Sequence, residues 1–179
     1  SSTLTAHLGS LAAAIAVRVP AHTGAASLDI GCNDGTLAAH LRGHGFRACG
    51  IDPAENLAPL SRAKGIEVEV DYFHGGTARR LYDRHGPVRV MTATNSFPHI
   101  PELHSYLEGV ALLLATDGVF VIEAHYLLDL IEQCAFDTVY HEHCHFWRLE
   151  PMMELFAAHG LEIFDCERLP IHHGQLRVW

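Results

Sequence analysis

The chain has 179 residues, a mass of 19.7 kDa and a formal net charge of −9, with 49% hydrophobic and 18% charged residues. That length suits one globular domain with a real core, and that composition excludes a disordered chain. The acidic balance argues against a nucleic-acid binder, and no apolar run nears the ~20 residues of a membrane-spanning helix.

Leu4, Leu8, Leu11 and Ile15 recur at helical spacing, so residues 4–19 are expected to form a helix ended by Pro20. The apolar part of it, residues 11–19, is short and has no basic leader, so no signal peptide is expected. Residues 27–30 read as a short buried strand, followed by the turn Gly31-Cys32-Asn33-Asp34-Gly35 and a helix over 36–42 that stops at Gly43. A second strand is expected over 46–51 and a second helix over 55–64, closed by Gly65. Residues 66–70 alternate apolar and acidic, which suits an outer strand. A helix over 77–85, a strand over 88–94 and the turn Asn95-Ser96-Phe97-Pro98-His99 follow. A long helix is expected over 102–115, a fifth strand over 119–123 and a helix over 127–133. Residues 136–147 are aromatic and His-rich without a clean period. A helix over 151–158 lies between Pro151 and Gly160, and two closing strands are expected over 161–168 and 175–179. Alternating strands and helices imply an α/β fold whose sheet is mostly parallel, with helices on both faces. The short connection between the last two strands permits only antiparallel pairing, so one reversed strand is expected at the end.

In such a sheet, ligands sit at the carboxyl ends of the strands. The Gly31-to-Gly35 turn lies at the end of the first strand, and Asp52 ends the second, 21 residues after Gly31 and well placed for ribose hydroxyls. The Gly-x-x-x-Gly spacing is neither the dinucleotide fingerprint nor a P-loop. Asp29 and Asp34 flank the turn with no Lys or Arg beside it in sequence, which disfavours a pyrophosphate. S-adenosylmethionine, with a sulfonium, an ammonium and no phosphate, fits better than NAD or ATP. Pro53, Asp71, Tyr72 and Asn95 follow the next strands at the same rim, so the cofactor-binding set is Asp29, Gly31, Asn33, Gly35, Asp52, Pro53, Asp71, Tyr72 and Asn95.

The hexapeptide Tyr140-His141-Glu142-His143-Cys144-His145 formally contains H-E-x-x-H. The zinc-protease reading needs a helix there, and the β-branched and aromatic flanks Thr138, Val139, Tyr140, Phe146 and Trp147 argue against one, so no metal is expected. Acid–base chemistry is the better reading: a histidine takes a proton, a carboxylate orients it, and a tyrosine or second imidazole hydrogen-bonds an oxyanion. His99, after the fourth strand, and His125, after the fifth, are further candidates, with the pair His172-His173 weaker. Five cysteines without any C-x-x-C pair read as reduced thiols of a cytoplasmic protein.

Leu28 to Gly35, Gly50-Ile51-Asp52-Pro53-Ala54-Glu55-Asn56 and Asn95-Ser96-Phe97-Pro98-His99-Ile100 resemble class I S-adenosylmethionine-dependent methyltransferases. His125-Tyr126-Leu127-Leu128-Asp129-Leu130, Phe136-Asp137-Thr138-Val139-Tyr140-His141-Glu142-His143 and the closing Leu-Arg resemble, more narrowly, the sugar-nucleotide C-3 methyltransferases of deoxysugar and antibiotic biosynthesis. The resemblance implies a Rossmann-like seven-stranded α/β sheet, mostly parallel with one antiparallel strand. It implies a dTDP-linked 4-keto deoxysugar as substrate, His143 as the base at C-3, Tyr140 and Glu142 as positioning groups, and His99 near the 4-keto oxygen. It also implies that residues 1–179 form a central catalytic domain whose partners are other domains of one longer chain: a zinc-binding domain before it and an α/β domain after it. The start at Ser-Ser without Met agrees with a fragment. The sequence departs from the family at His145-Phe146-Trp147 and at His173-Gly174-Gln175, where the acceptor could bind. An O- or N-methyltransferase of a small metabolite and a non-catalytic cofactor-binding module are the alternatives.

Overall fold

The structure, a computed structural model, describes residues 2–171 and 173–179. Helix α1 (Ser2–Arg18) leads into β1 (Ala26–Ile30), α2 (Thr36–Gly43), β2 (Arg47–Ile51), α3 (Ala58–Ala63), β3 (Glu67–Glu69), α4 (Gly75–His85) and β4 (Val88–Thr94). A 3-10 turn (Phe97–His99), α5 (Leu103–Leu113), β5 (Leu114–His125), α6 (Leu127–Glu132), α7 (Leu149–Ala157), β6 (Cys166–Leu169) and β7 (Gln175–Val178) complete it.

The seven strands form one sheet in the order β3-β2-β1-β4-β5-β7-β6. Strands β1 to β5 pair in parallel, and β7 runs antiparallel to both β5 and β6. The expected reversed strand is therefore present, last in the chain but set inside the sheet. All five residues of β1 are buried, because helices cover both faces of the centre. One face packs Leu28, Met91, Tyr106 and Leu107 under α4, α5 and α7. The other packs Leu11, Ile15, Leu37, Leu41 and Trp179 under α1 and α2. Strand order reverses between β1 and β4, which opens a crevice at their carboxyl ends.

Several expected boundaries shift, three of them for a visible reason. The helix expected to 115 stops at Leu113, and β5 takes over directly at Leu114. The strand expected over 161–168 is laddered only from Cys166 to Leu169, since Leu161 and Ile163 pack against the core without sheet pairing. The helix expected over 55–64 starts at Ala58, because Asp52 accepts a hydrogen bond from the Ala54 N–H and the chain makes a turn first. No helix among the described residues is long and apolar enough to cross a membrane.

Candidate functional site

A cavity of about 1110 Å³ occupies the crevice. The turn after β1 forms its floor, with left-handed backbone at Gly31 (φ 74°), Asn33 (φ 51°) and Gly35 (φ 74°). A Cβ on Gly31 would lie 2.6 Å from the Ser96 Cβ, so only glycine lets the two turns meet. Ser96 Oγ then donates to the Ile30 carbonyl at 2.8 Å and pins them together.

Asp29, Gly31, Asn33, Asp52, Pro53, Asp71, Tyr72, Asn95 and His99 all border this cavity. Gly35 does not; it caps α2, and a Cβ there would meet Ser61 at 2.9 Å. Asp29 is buried on β1 and accepts a 2.7 Å hydrogen bond from Thr92. Burial pushes its carboxyl up to about 7, against the hydrogen bond from Thr92, and the charge of Asp52 adds to the rise. Asp52 is clamped by the N–H groups of Asn33 and Ala54, each at 2.8 Å, one on each oxygen. Asp71 accepts from Arg80 at 2.6 Å and from its neighbour's N–H; the Arg80 hydrogen bond holds its carboxyl below the usual range.

The expectation that no cation stands beside the turn fails in three dimensions. Lys64, thirty residues on, donates to the Asp34 carboxylate at 2.7 Å, to the Asp34 carbonyl at 2.8 Å and to Thr36 at 2.9 Å. Burial raises the Asp34 carboxyl, but the hydrogen bonds from Lys64 and Thr36 outweigh it and leave it low. Asp34 is thus a structural partner of Lys64, as Asp71 is of Arg80, and the other carboxyl groups that border the cavity are Asp29, Asp52 and Glu102. Among the described residues no Lys or Arg lines the cavity.

His99 links this cavity to the second group of residues. Its ring lies 4.9 Å, centre to centre, from that of His143, and the His125 ring lies 5.1 Å from His143 on another side. His99 Nδ1 is 2.8 Å from the Glu142 carbonyl, so Nδ1 carries the proton. His143 Nδ1 is 2.7 Å from the Thr138 carbonyl, which fixes the same tautomer and leaves the Nε2 lone pair free to take a proton. The Tyr140 hydroxyl is 3.2 Å from that Nε2. Glu142 holds His99 through its main chain; its carboxylate makes none of the hydrogen bonds found among the described residues. Residues 139–146 are not helical, and His145 is tied through Nε2 to the Ile100 carbonyl at 3.0 Å, so His141 and His145 share no helix face. His173 lies at a different opening, 3.8 Å from Asp137, and His172 lies outside the described residues.

Sequence reasoning missed part of the wall. Leu4, Thr5 and Leu8 of α1 border the cavity, as do His74 and Ile100. The 3.6-residue period locates α1 but says nothing about which ligand its face meets. Gln175, buried on β7, donates to the Asn95 side-chain oxygen, a contact 80 residues apart that no local pattern announces.

A family model described as a methyltransferase domain matches residues 6–165. C-methyltransferase NovU of Streptomyces niveus is 36% identical over 152 residues, covering 85% of this chain and 36% of that protein. A ubiquinone biosynthesis O-methyltransferase of Xylella fastidiosa is 30% identical over 106 residues, covering 58% of this chain and 43% of its own. The chain therefore spans less than half the length of these relatives. Among solved structures, magnesium protoporphyrin IX methyltransferase (ChlM) of Synechocystis, with bound S-adenosylhomocysteine, aligns with a TM-score of 0.69 at 12% identity. The alignment covers 97% of this chain and 82% of that one. A SAM-dependent methyltransferase of Archaeoglobus fulgidus aligns with a TM-score of 0.69 at 18% identity over 90% of this chain and 71% of its own.

Proposed function

The chain belongs to the methyltransferase-domain family, with S-adenosylmethionine as cofactor, and from that membership we propose a C-methyltransferase acting at C-3 of a nucleotide-linked 4-keto deoxysugar. The residues fit the cofactor. The cavity is wide enough, Asp29, Asp52 and Asp71 suit an ammonium and ribose hydroxyls, and the bare Gly31 allows close approach. Bound there, S-adenosylmethionine supplies an electrophilic methyl group.

The carbon that accepts this methyl is not nucleophilic until a proton leaves it. His143 Nε2, its tautomer set by the Thr138 carbonyl, takes the proton alpha to the ketone. The Tyr140 hydroxyl turns from His143 to the growing enolate oxygen. His99, already donating through Nδ1, reaches that oxygen only as an imidazolium donating through Nε2. Donors of this kind contribute about 2.7–4 kcal/mol each to such a step. Collapse of the enolate would form the bond from C-3 to the methyl carbon as the methyl–sulfonium bond breaks, the sulfur leaving as a neutral thioether.

The observation that carries this reading is His99, a wall of the cofactor cavity whose ring lies 4.9 Å from the proposed base. The identity to a C-methyltransferase over 85% of the chain supports carbon as the acceptor. The 36% share of that relative supports a chain acting as one domain of a longer protein, with other domains holding the dTDP part. A cytoplasmic location agrees with five free thiols. The test is solvent-hydrogen exchange at C-3 of a dTDP-4-keto deoxysugar with S-adenosylhomocysteine present, read by mass spectrometry. His143→Ala is expected to slow exchange at least ~100-fold; exchange at the wild-type rate removes His143 as base. The O-methyltransferase relatives favour a second reading, methylation of a hydroxyl, which product NMR separates from a new C–CH3.

A further inference from the structure

We propose that Gln175 is a positioning residue: it holds the Asn95 amide with its nitrogen towards the cavity, where that nitrogen donates to the α-carboxylate of the cofactor. Asn95 follows β4 in left-handed backbone (φ 59°), fixed by its own N–H on the Glu123 carbonyl at 2.8 Å. The root of its side chain is thus set, and only the sense of the amide remains to be chosen. Gln175 makes that choice by donating through Nε2 to the Asn95 Oδ1. Asn95 lines the cavity, so with its oxygen engaged its NH2 is the polar group left for an occupant. Gln175 is fully buried, and its Oε1 has no partner among the described residues. Turning the Gln175 amide over would leave both of its N–H donors without a partner, where now one of them is engaged by Asn95.

The occupant follows from charge. Among the described residues the cavity wall has no Lys or Arg, so a bound carboxylate is met by side-chain amides, hydroxyls, main-chain N–H groups or imidazoles, and of these the Asn95 amide is the one whose sense is fixed from behind. The cofactor carries its ammonium and carboxylate on one carbon. Asp29 offers the ammonium an acceptor on β1, and Asn95 flanks the same turn at the end of the neighbouring strand β4. The two groups divide the zwitterion between them, and Gln175 decides that Asn95 serves its negative half.

The test is titration calorimetry with two ligands: S-adenosylhomocysteine, and S-adenosyl-3-thiopropylamine, the same molecule without its carboxylate. In Gln175→Glu, measured at a pH high enough to ionise the buried carboxyl, the new group only accepts, so Asn95 turns its nitrogen inward and its oxygen to the cavity. S-adenosylhomocysteine is expected to bind at least about tenfold more weakly, while the decarboxylated ligand stays within about twofold of wild type. Asn95→Asp, which leaves β7 intact, gives the same pattern should Gln175→Glu not fold, and Gln175→Met gives a smaller loss in the same direction. Equal weakening of both ligands means a merely structural role and overturns the proposal. So does unchanged S-adenosylhomocysteine affinity in Gln175→Met and Asn95→Asp.

Discussion

Asp29 is the most consequential single titratable group. Its carboxyl is raised from the ordinary 3.8 to about 7, chiefly by burial. Between those values the folded chain holds a proton that the unfolded chain has lost, so stability falls as pH rises through that window. The melting temperature is expected to drop from about pH 4 towards pH 7, and Asp29→Asn to flatten that slope. Cofactor binding runs the other way, because an ammonium needs the carboxylate ionised. S-adenosylhomocysteine should bind more tightly above about pH 7 than below it, releasing a proton as it binds. Calorimetry in two buffers of different ionisation heat measures that proton. A pH-independent affinity would separate Asp29 from the cofactor. The thiols beside this site are poor nucleophiles: burial first, with the charge of Asp29 and Asp52 behind it, drives the Cys32 thiol far up.

At the level of elements, β7 is held by a buried charge pair. Arg177 donates through Nε to Glu123 Oε1 at 2.8 Å, Glu123 is fully buried, and His7 of α1 lies 2.7 Å from the other oxygen. Arg177→Met leaves that carboxylate buried without its main partner and is expected to cost about 3–5 kcal/mol, read from urea unfolding. A loss below about 1 kcal/mol would show that His7 alone suffices. Neither contact could be read from the sequence, whereas the parallel half of the sheet could. Leu28 and Ile30, and Val88, Val90, Met91 and Ala93, stand in short stretches between turn residues, which is enough to mark two strands of a covered sheet. The antiparallel end was harder. Leu161 and Ile163 alternate like a strand, but their burial comes from packing against the core rather than from a ladder. Within the site, the Gly31 turn and Asp52 were legible because their chemistry is local. Lys64 on Asp34 and Gln175 on Asn95 were not, because each pair is assembled only when distant strands and loops meet.

On the scale of the whole molecule, α1 joins binding to stability. Leu4, Thr5 and Leu8 border the cavity, while Arg18 at its far end reaches Asp165 and lies over the Trp179 ring at 4.3 Å. A ligand in the cavity therefore braces a helix that also covers β7. S-adenosylhomocysteine at a hundred times its Kd adds about 2.7 kcal/mol. At roughly 2–4 °C per kcal/mol, the melting temperature should rise by ~5–11 °C. His7→Ala, which frees α1 from Glu123, should shrink that rise at the same ligand concentration, as thermal-shift measurements can check.

The position of β7 also matters to how the protein is made. It is the last of the seven strands in chain order, yet β5 and β6 meet only through it. Until then the nascent chain carries two open edges of hydrogen-bonding backbone, which invite pairing with other chains. Translation must therefore run past residue 178 before this sheet can be sealed, and until then the β5 edge stays open to pairing with other chains.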